Sequence, residues 1–76
     1  MTPLPTVDMI ATGLNINRLR CERGLSVRDI QNILGFNTPQ AIYKWEWGKS
    51  LPTVDNLVIL ADIFNVTIDD ILIIKR

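Results

Sequence analysis

Residues 26–52, SVRDIQNILGFNTPQAIYKWEWGKSLP, place two helix starts and two helix stops within 27 residues. Ser26 is an N-cap residue whose hydroxyl accepts from a first-turn N–H, and Asp29, three residues on, completes a capping box. Leu25 and Ile30 sit at the positions of a hydrophobic staple. Ile30, Ile33 and Leu34 recur at helical spacing as an apolar stripe, and Gly35 stands where a helix ends with positive φ. A second helix, residues 39–47, is expected to open with Thr38 as cap and Pro39 in the first helical position, where a missing N–H is harmless. Ala41, Ile42 and Trp45 form its inward stripe and Gly48 closes it. Gln40, Tyr43, Lys44 and Trp47 are then left pointing outward. Two helices this short cannot bury their own apolar faces, so the remainder of the chain must fold around them.

The flanking segments supply that support. A first helix is expected over residues 14–22, with Asp8 as its earliest start, Ile16 and Leu19 facing inward and Gly24 ending it. Beyond Pro52, Thr53 caps a fourth helix with Val54, Leu57, Leu60, Ala61 and Phe64 as its core stripe and Asn65 at its left-handed end. Thr67 and Asp70 form a second capping box, opening a fifth helix in which Ile68, Ile71 and Leu72 close the core. Strand alternation, repeats and low-complexity tracts are not evident. The fold class expected is all-α, five helices. Residues 1–7, with two prolines and no periodicity, read as a flexible N-terminal arm, and residues 8–76 as one domain. The arm has no Lys or Arg, which makes it a poor minor-groove reader.

This segment resembles the Cro/CI-type (xenobiotic-response-element) helix-turn-helix family of bacterial and phage transcriptional regulators. The resemblance rests on LGFNTPQAIYKWEWGKSLP, on Ile16, Leu19 and Arg20 before GLSVRDIQ, and on the DNL and VTIDDI segments after it, running from Gly13 to about Ile73. It implies a compact, lambda-repressor-like DNA-binding domain in which Ile30, Leu34, Ile42 and Trp45 form the core of the motif. Two positions depart from the broad family pattern: Gln31 stands where many members have Ala, and the turn between Gly35 and Pro39 is one residue longer.

Given that resemblance, the outward residues acquire roles. A helix in the major groove brings its N-terminal side chains nearest the base edges. Gln40 can pair bidentately with adenine, Lys44 can reach guanine acceptors or a phosphate, and Tyr43 can meet a thymine methyl or a phosphate. Phosphate contacts are expected from Val27 and Arg28 at the second helix's start, from Asn37 and Thr38 in the turn, and from Lys49 and Ser50 in the following loop. Trp47 is expected either to lie along a sugar or to half-bury against its own fold. Glu46 would repel phosphates if free, so a structural partner such as a nearby Arg is expected.

Net charge, taken as a whole, argues weakly against nucleic-acid binding. The chain of 76 residues is neutral overall, with eight basic and eight acidic residues. The charge is nevertheless polarised. Residues 14–50 carry six positives (Arg18, Arg20, Arg23, Arg28, Lys44, Lys49) against three negatives (Glu22, Asp29, Glu46), whereas residues 51–74 carry only Asp55, Asp62, Asp69 and Asp70. Such a molecule offers one face to a polyanion. No His is present and the single Cys21 reads as a helix filler, so no metal site, cofactor or small-molecule ligand is expected. No catalytic constellation is evident, and Asp69-Asp70 reads as helix-start chemistry rather than an acid pair. With no signal peptide or membrane-length apolar run, the expected location is cytoplasmic.

The expected function is a sequence-specific, double-stranded DNA-binding regulator, in the first instance a repressor. The alternative is an antitoxin or other module whose main partner is a protein, which the acidic C-terminal half would suit. A homodimer is expected, with Ile73 and Ile74 as a self-complementary patch unless they fold back onto Leu14 or the first helix.

Overall fold

In the computed structural model, which describes residues 4–76, Asp8 accepts a hydrogen bond from the Ala11 N–H at 3.0 Å and starts helix α1 (Met9–Glu22). The earliest of the expected starts is therefore the observed one. Ser26 and Asp29 make both bonds of the anticipated capping box, at 3.0 and 2.8 Å, and open α2 (Val27–Leu34), which ends at Gly35 in the left-handed conformation. Helix α3 (Gln40–Glu46) follows the turn. Thr53 caps α4 (Val54–Phe64), which ends at left-handed Asn65, and the Thr67–Asp70 box opens the single-turn α5 (Ile68–Ile71). The two capping carboxylates, Asp29 and Asp70, are held below the usual aspartate range, chiefly by the backbone N–H donors of Ser26 and Thr67.

The core joins all five helices. Ile16 and Leu19 of α1, Ile30 of α2, Ile42 and Trp45 of α3, Leu57, Leu60 and Phe64 of α4, and Ile71 of α5 are buried together. Leu34, Leu25 and Val27 pack against this cluster, and Phe36 meets Trp45 edge-to-face at 5.9 Å.

Three expectations about individual residues are corrected. Ile33 is 53% exposed. At 100° per residue, the buried arc of α2 runs from Ile30 through Leu34 to Val27, and Ile33 lies about 60° outside its Ile30 edge. Val54 is 72% exposed because it occupies the first turn of α4, before the helix reaches the packed region. Thr38 does not cap α3. Pro39, with φ −84° and ψ 1°, takes the cap position instead, and its carbonyl accepts from the Tyr43 N–H at 3.1 Å.

A short antiparallel ribbon, absent from the expected all-helical plan, ties the two ends of the chain together. Strand β1 (Thr6–Val7) pairs with β2 (Ile74–Lys75), Thr6 opposite Lys75 and Val7 opposite Ile74. Two residues per strand carry no readable alternation. Of the expected N-terminal arm, residues 1–3 lie outside the described residues, and Thr6 and Val7 belong to this ribbon. Helix α1 holds the C-terminal segment through side chains as well. The Thr12 hydroxyl accepts from the Ile73 N–H at 2.9 Å, and the Asn15 amide donates to the carbonyls of Asp70 and Ile71 at 2.7 and 2.9 Å. The last of these satisfies carbonyls that the end of α5 would leave without partners.

Candidate nucleic-acid interface

The position of α3 is set by its contact with α1, and two glycines allow that contact. A Cβ at Gly13 would lie 2.3 Å from the Trp45 carbonyl oxygen and 2.7 Å from that of Glu46. A Cβ at Gly48 would lie 2.7 Å from the Ile10 Cα, and Gly48 also adopts φ +74°. Both approaches are closer than any side-chain-bearing residue permits. With the backbones in contact, Ile42 and Trp45 fill the core and the Glu46 side chain, 7% exposed, turns toward α1.

Three donors meet the Glu46 carboxylate there. Arg20 Nε donates to Oε2 at 2.9 Å and Arg20 Nη2 to Oε1 at 3.1 Å, while Asn17 Nδ2 donates to Oε1 at 2.7 Å. The remaining Arg20 nitrogen, Nη1, donates to the Leu25 carbonyl at 2.9 Å, just before α2. The hydrogen bond to Glu46 raises the Arg20 pKa above its ordinary value, with burial acting in the opposite sense. The structural partner expected for Glu46 is thus Arg20, joined by Asn17. Asn17 gave no sequence signal, and Gly13 gave a weak one as an isolated glycine within a helical pattern.

Fixing the inner side of α3 leaves its outer side free. Gln40, Tyr43, Lys44 and Trp47 fall at i, i+3, i+4 and i+7, and all four are exposed. Tyr43 and Trp47 stack, with ring centroids 5.5 Å apart and planes inclined by 20°, and Lys49 Nζ lies 5.8 Å from the Trp47 ring centroid. Trp47 is 62% exposed, the covered part of its indole packing on Tyr43 and Lys49. The four side chains surround a shallow slot of about 230 Å³.

The expected phosphate-contact residues divide in two. Arg28, Asn37, Thr38 and Lys49 are exposed, whereas Val27 and Ser50 are partly buried. Val27 packs on the core, so the start of α2 can offer only its main chain there. The motif's acidic residues are engaged elsewhere: Glu22 pairs with Arg18 at 2.8 Å, Asp29 caps α2 and Glu46 holds Arg20. Arg28, Lys44 and Lys49 are accordingly left without a neighbouring carboxylate in these pairings. Among the described residues, no group of His, Cys, Asp or Glu side chains is arranged to hold a metal ion, and no helix is long and apolar enough to cross a membrane.

Two short helices at a fixed angle, the second presenting a polar and aromatic face with unopposed cations, define a helix-turn-helix domain. The chain belongs to the helix-turn-helix family, which matches it over residues 16–71. The Cro/CI-type resemblance is therefore borne out. No curated protein sequence matches the chain. Among solved structures, the restriction-modification controller protein C.AhdI from Aeromonas hydrophila superposes with a TM-score of 0.74 at 20% identity, covering 84% of this chain and 96% of that one. The DNA-binding domain of BldD gives a TM-score of 0.71 at 22% identity, covering 87% and 94%. The S. venezulae BldD DNA-binding domain gives 0.71 and 22%, covering 87% and 97%. At these identities the likeness is one of fold.

The Glu46 cluster generates a stability prediction. Glu46→Ala leaves Arg20 without its partner at a nearly buried site, and urea denaturation should show a loss of about 3 kcal/mol, the low end for breaking a buried pair. Glu22→Ala breaks the exposed pair with Arg18 and should cost no more than ~0.5 kcal/mol. Equal losses in the two variants would contradict the role assigned to Glu46.

Proposed function

We propose that this DNA-binding regulator is a sequence-specific repressor that lays α3 in the major groove of B-DNA. The observation that carries the reading is the outer face of α3. Its four side chains take no part in the core, yet the helix beneath them is held rigidly by the Glu46 cluster and by the Gly13 contact. Gln40 at the helix start addresses adenine, Lys44 one turn later addresses guanine or a phosphate, and Tyr43 lies between them. Arg28, Asn37, Thr38, Lys49 and Ser50, with the main chain at Val27, follow the phosphates on either side and set the register. Action on chromosomal or phage DNA implies a cytoplasmic location.

Binding should weaken steeply with salt, each neutralised phosphate contributing about −0.9 to the slope of log K against log salt. Gln40→Ala should relax preference at one base pair, by ~1–3 kcal/mol, because it removes a base-edge contact. Lys49→Ala should instead weaken all sequences to a similar extent and flatten the salt slope by about one phosphate. Binding-site selection with the two variants checks this, and profiles that change in the same way would contradict the division of labour.

One recognition helix reads too few base pairs to find a single site in a genome, and two-fold dimers on half-sites about one helical turn apart overcome this limit. The C-terminal segment supports such an assembly here. The backbone of Ile73 is tied to Asp8 and Thr12, yet the side chains of Ile73 and Ile74 remain 37% and 55% exposed. We read this exposed apolar pair, at the C-terminal edge of the β1–β2 ribbon, as the contact between two copies. Sedimentation should show a dimer for the wild-type chain and a monomer for the Ile73→Lys, Ile74→Lys double variant. A wild-type chain that stays monomeric at high concentration and occupies a single half-site would contradict the dimer.

A further inference from the structure

We propose that the apolar slot on the outer face of α3, lined by Gln40, Tyr43, Lys44 and Trp47, receives the 5-methyl group of a thymine, which makes Trp47 a specificity-determining residue. The inference rests on the reading that α3 enters the major groove. It assigns a ligand to the one part of the outer face that hydrogen-bonding chemistry does not explain.

Trp47 is 62% exposed and Tyr43 39%, so neither ring is retained by the core. They stack on one another one helical turn apart, at 5.5 Å and 20°, which fixes both rings before any partner arrives. Lys49, 5.8 Å from the Trp47 ring centroid, is within cation–π range and further restrains the indole. The resulting slot of about 230 Å³ is bounded by these rings and by the aliphatic stems of Gln40 and Lys44, and its walls are almost wholly carbon. Such a surface offers nothing to a phosphate oxygen. In the major groove the thymine methyl is the apolar feature of a base pair, and it is the group that such a wall can select. Gln40 and Lys44, which also line the slot, then carry the polar groups available to the base edges around that methyl, and Lys49 is available to the adjoining phosphate. A pre-ordered apolar seat next to a Gln directed at adenine therefore selects for A·T-containing steps by two separate contacts.

The test uses the full chain. Duplexes are selected from a random pool, and each thymine of the enriched site is then replaced in turn by deoxyuridine, which lacks only the methyl group. The wild-type protein should lose about fourfold in affinity at one thymine position per half-site, the effect of one buried methyl group. Trp47→Ala should bind more weakly and show less than a twofold response at that same position, whereas Trp47→Phe should keep part of the response. Trp47 is exposed, so the thermal transition of both variants should match that of the wild type. A site whose binding is indifferent to deoxyuridine at every position overturns the methyl slot while leaving groove reading intact. So does a deoxyuridine response that persists undiminished in Trp47→Ala, and so does a Trp47→Ala variant that weakens all sequences alike, the signature of packing on a sugar. Failure to enrich any duplex overturns groove reading itself, and the slot with it.

Discussion

The structure depends on how Glu46 is neutralised. A carboxylate with 7% of its side chain exposed is costly unless its oxygens are fully hydrogen-bonded, and here Arg20 and Asn17 supply three donors within 3.1 Å. The geometry has a wider effect than one ion pair. The same guanidinium that receives Glu46 also donates to the Leu25 carbonyl, so a single side chain of α1 links the entry to α2 with the last turn of α3. The link to Glu46 could not form if α1 and α3 stood further apart. Gly13, against which a Cβ would meet the Trp45 carbonyl at 2.3 Å, permits the approach. The angle at which α3 presents its outer face follows from a glycine, an arginine and a glutamate that never touch that face.

Burying Glu46 also shapes the electrostatics. An acidic residue within a segment that meets phosphates would oppose binding if it were free. Each of the three acidic residues of residues 14–50 instead has a structural partner: Glu22 with Arg18, Asp29 with the start of α2, and Glu46 with Arg20. Neutrality of the whole chain thus conceals a local excess of positive charge at Arg28, Lys44 and Lys49. Asp55, Asp69 and Asp70 lie in the first turns of α4 and α5, where the helix dipole favours them. Polarisation of charge along the sequence becomes polarisation in space because the caps and the ion pairs use up the acids of one half.

Local chemistry made much of this legible in advance. Ser26 with Asp29, Thr67 with Asp70, and Thr53 each mark a helix start through bonds made within three residues, and the observed starts fall there. Trp45 and Trp47, two residues apart on a helix, were separable into core and surface by angular position alone, as their 5% and 62% exposures show. Ile33 and Val54 have the right composition and nearly the right spacing for the core, but Ile33 lies off the buried arc of α2 and Val54 precedes the packed part of α4. Pro39 takes the cap position with φ −84° and ψ 1°, and no side chain caps α3. The β1–β2 ribbon joins residues nearly seventy positions apart, and Asn15 and Asn17 act through tertiary contacts that no periodicity reports. The outer face was readable only as what remained once the inner face had been assigned.

The central claim is that the Gln40–Trp47 face of α3, held from behind by Glu46, is the surface that meets DNA. It is tested most directly by the two indole N–H signals in the NMR spectrum of the labelled chain, titrated with its selected duplex. The Trp47 indole signal should shift strongly, together with the amide protons of residues 37, 38 and 40–44, Trp47 and Lys49. The Trp45 indole, in the core beside Phe36, should move little. Shifts concentrated on α4 and β2, with the Trp47 indole unmoved at saturation, would contradict the account.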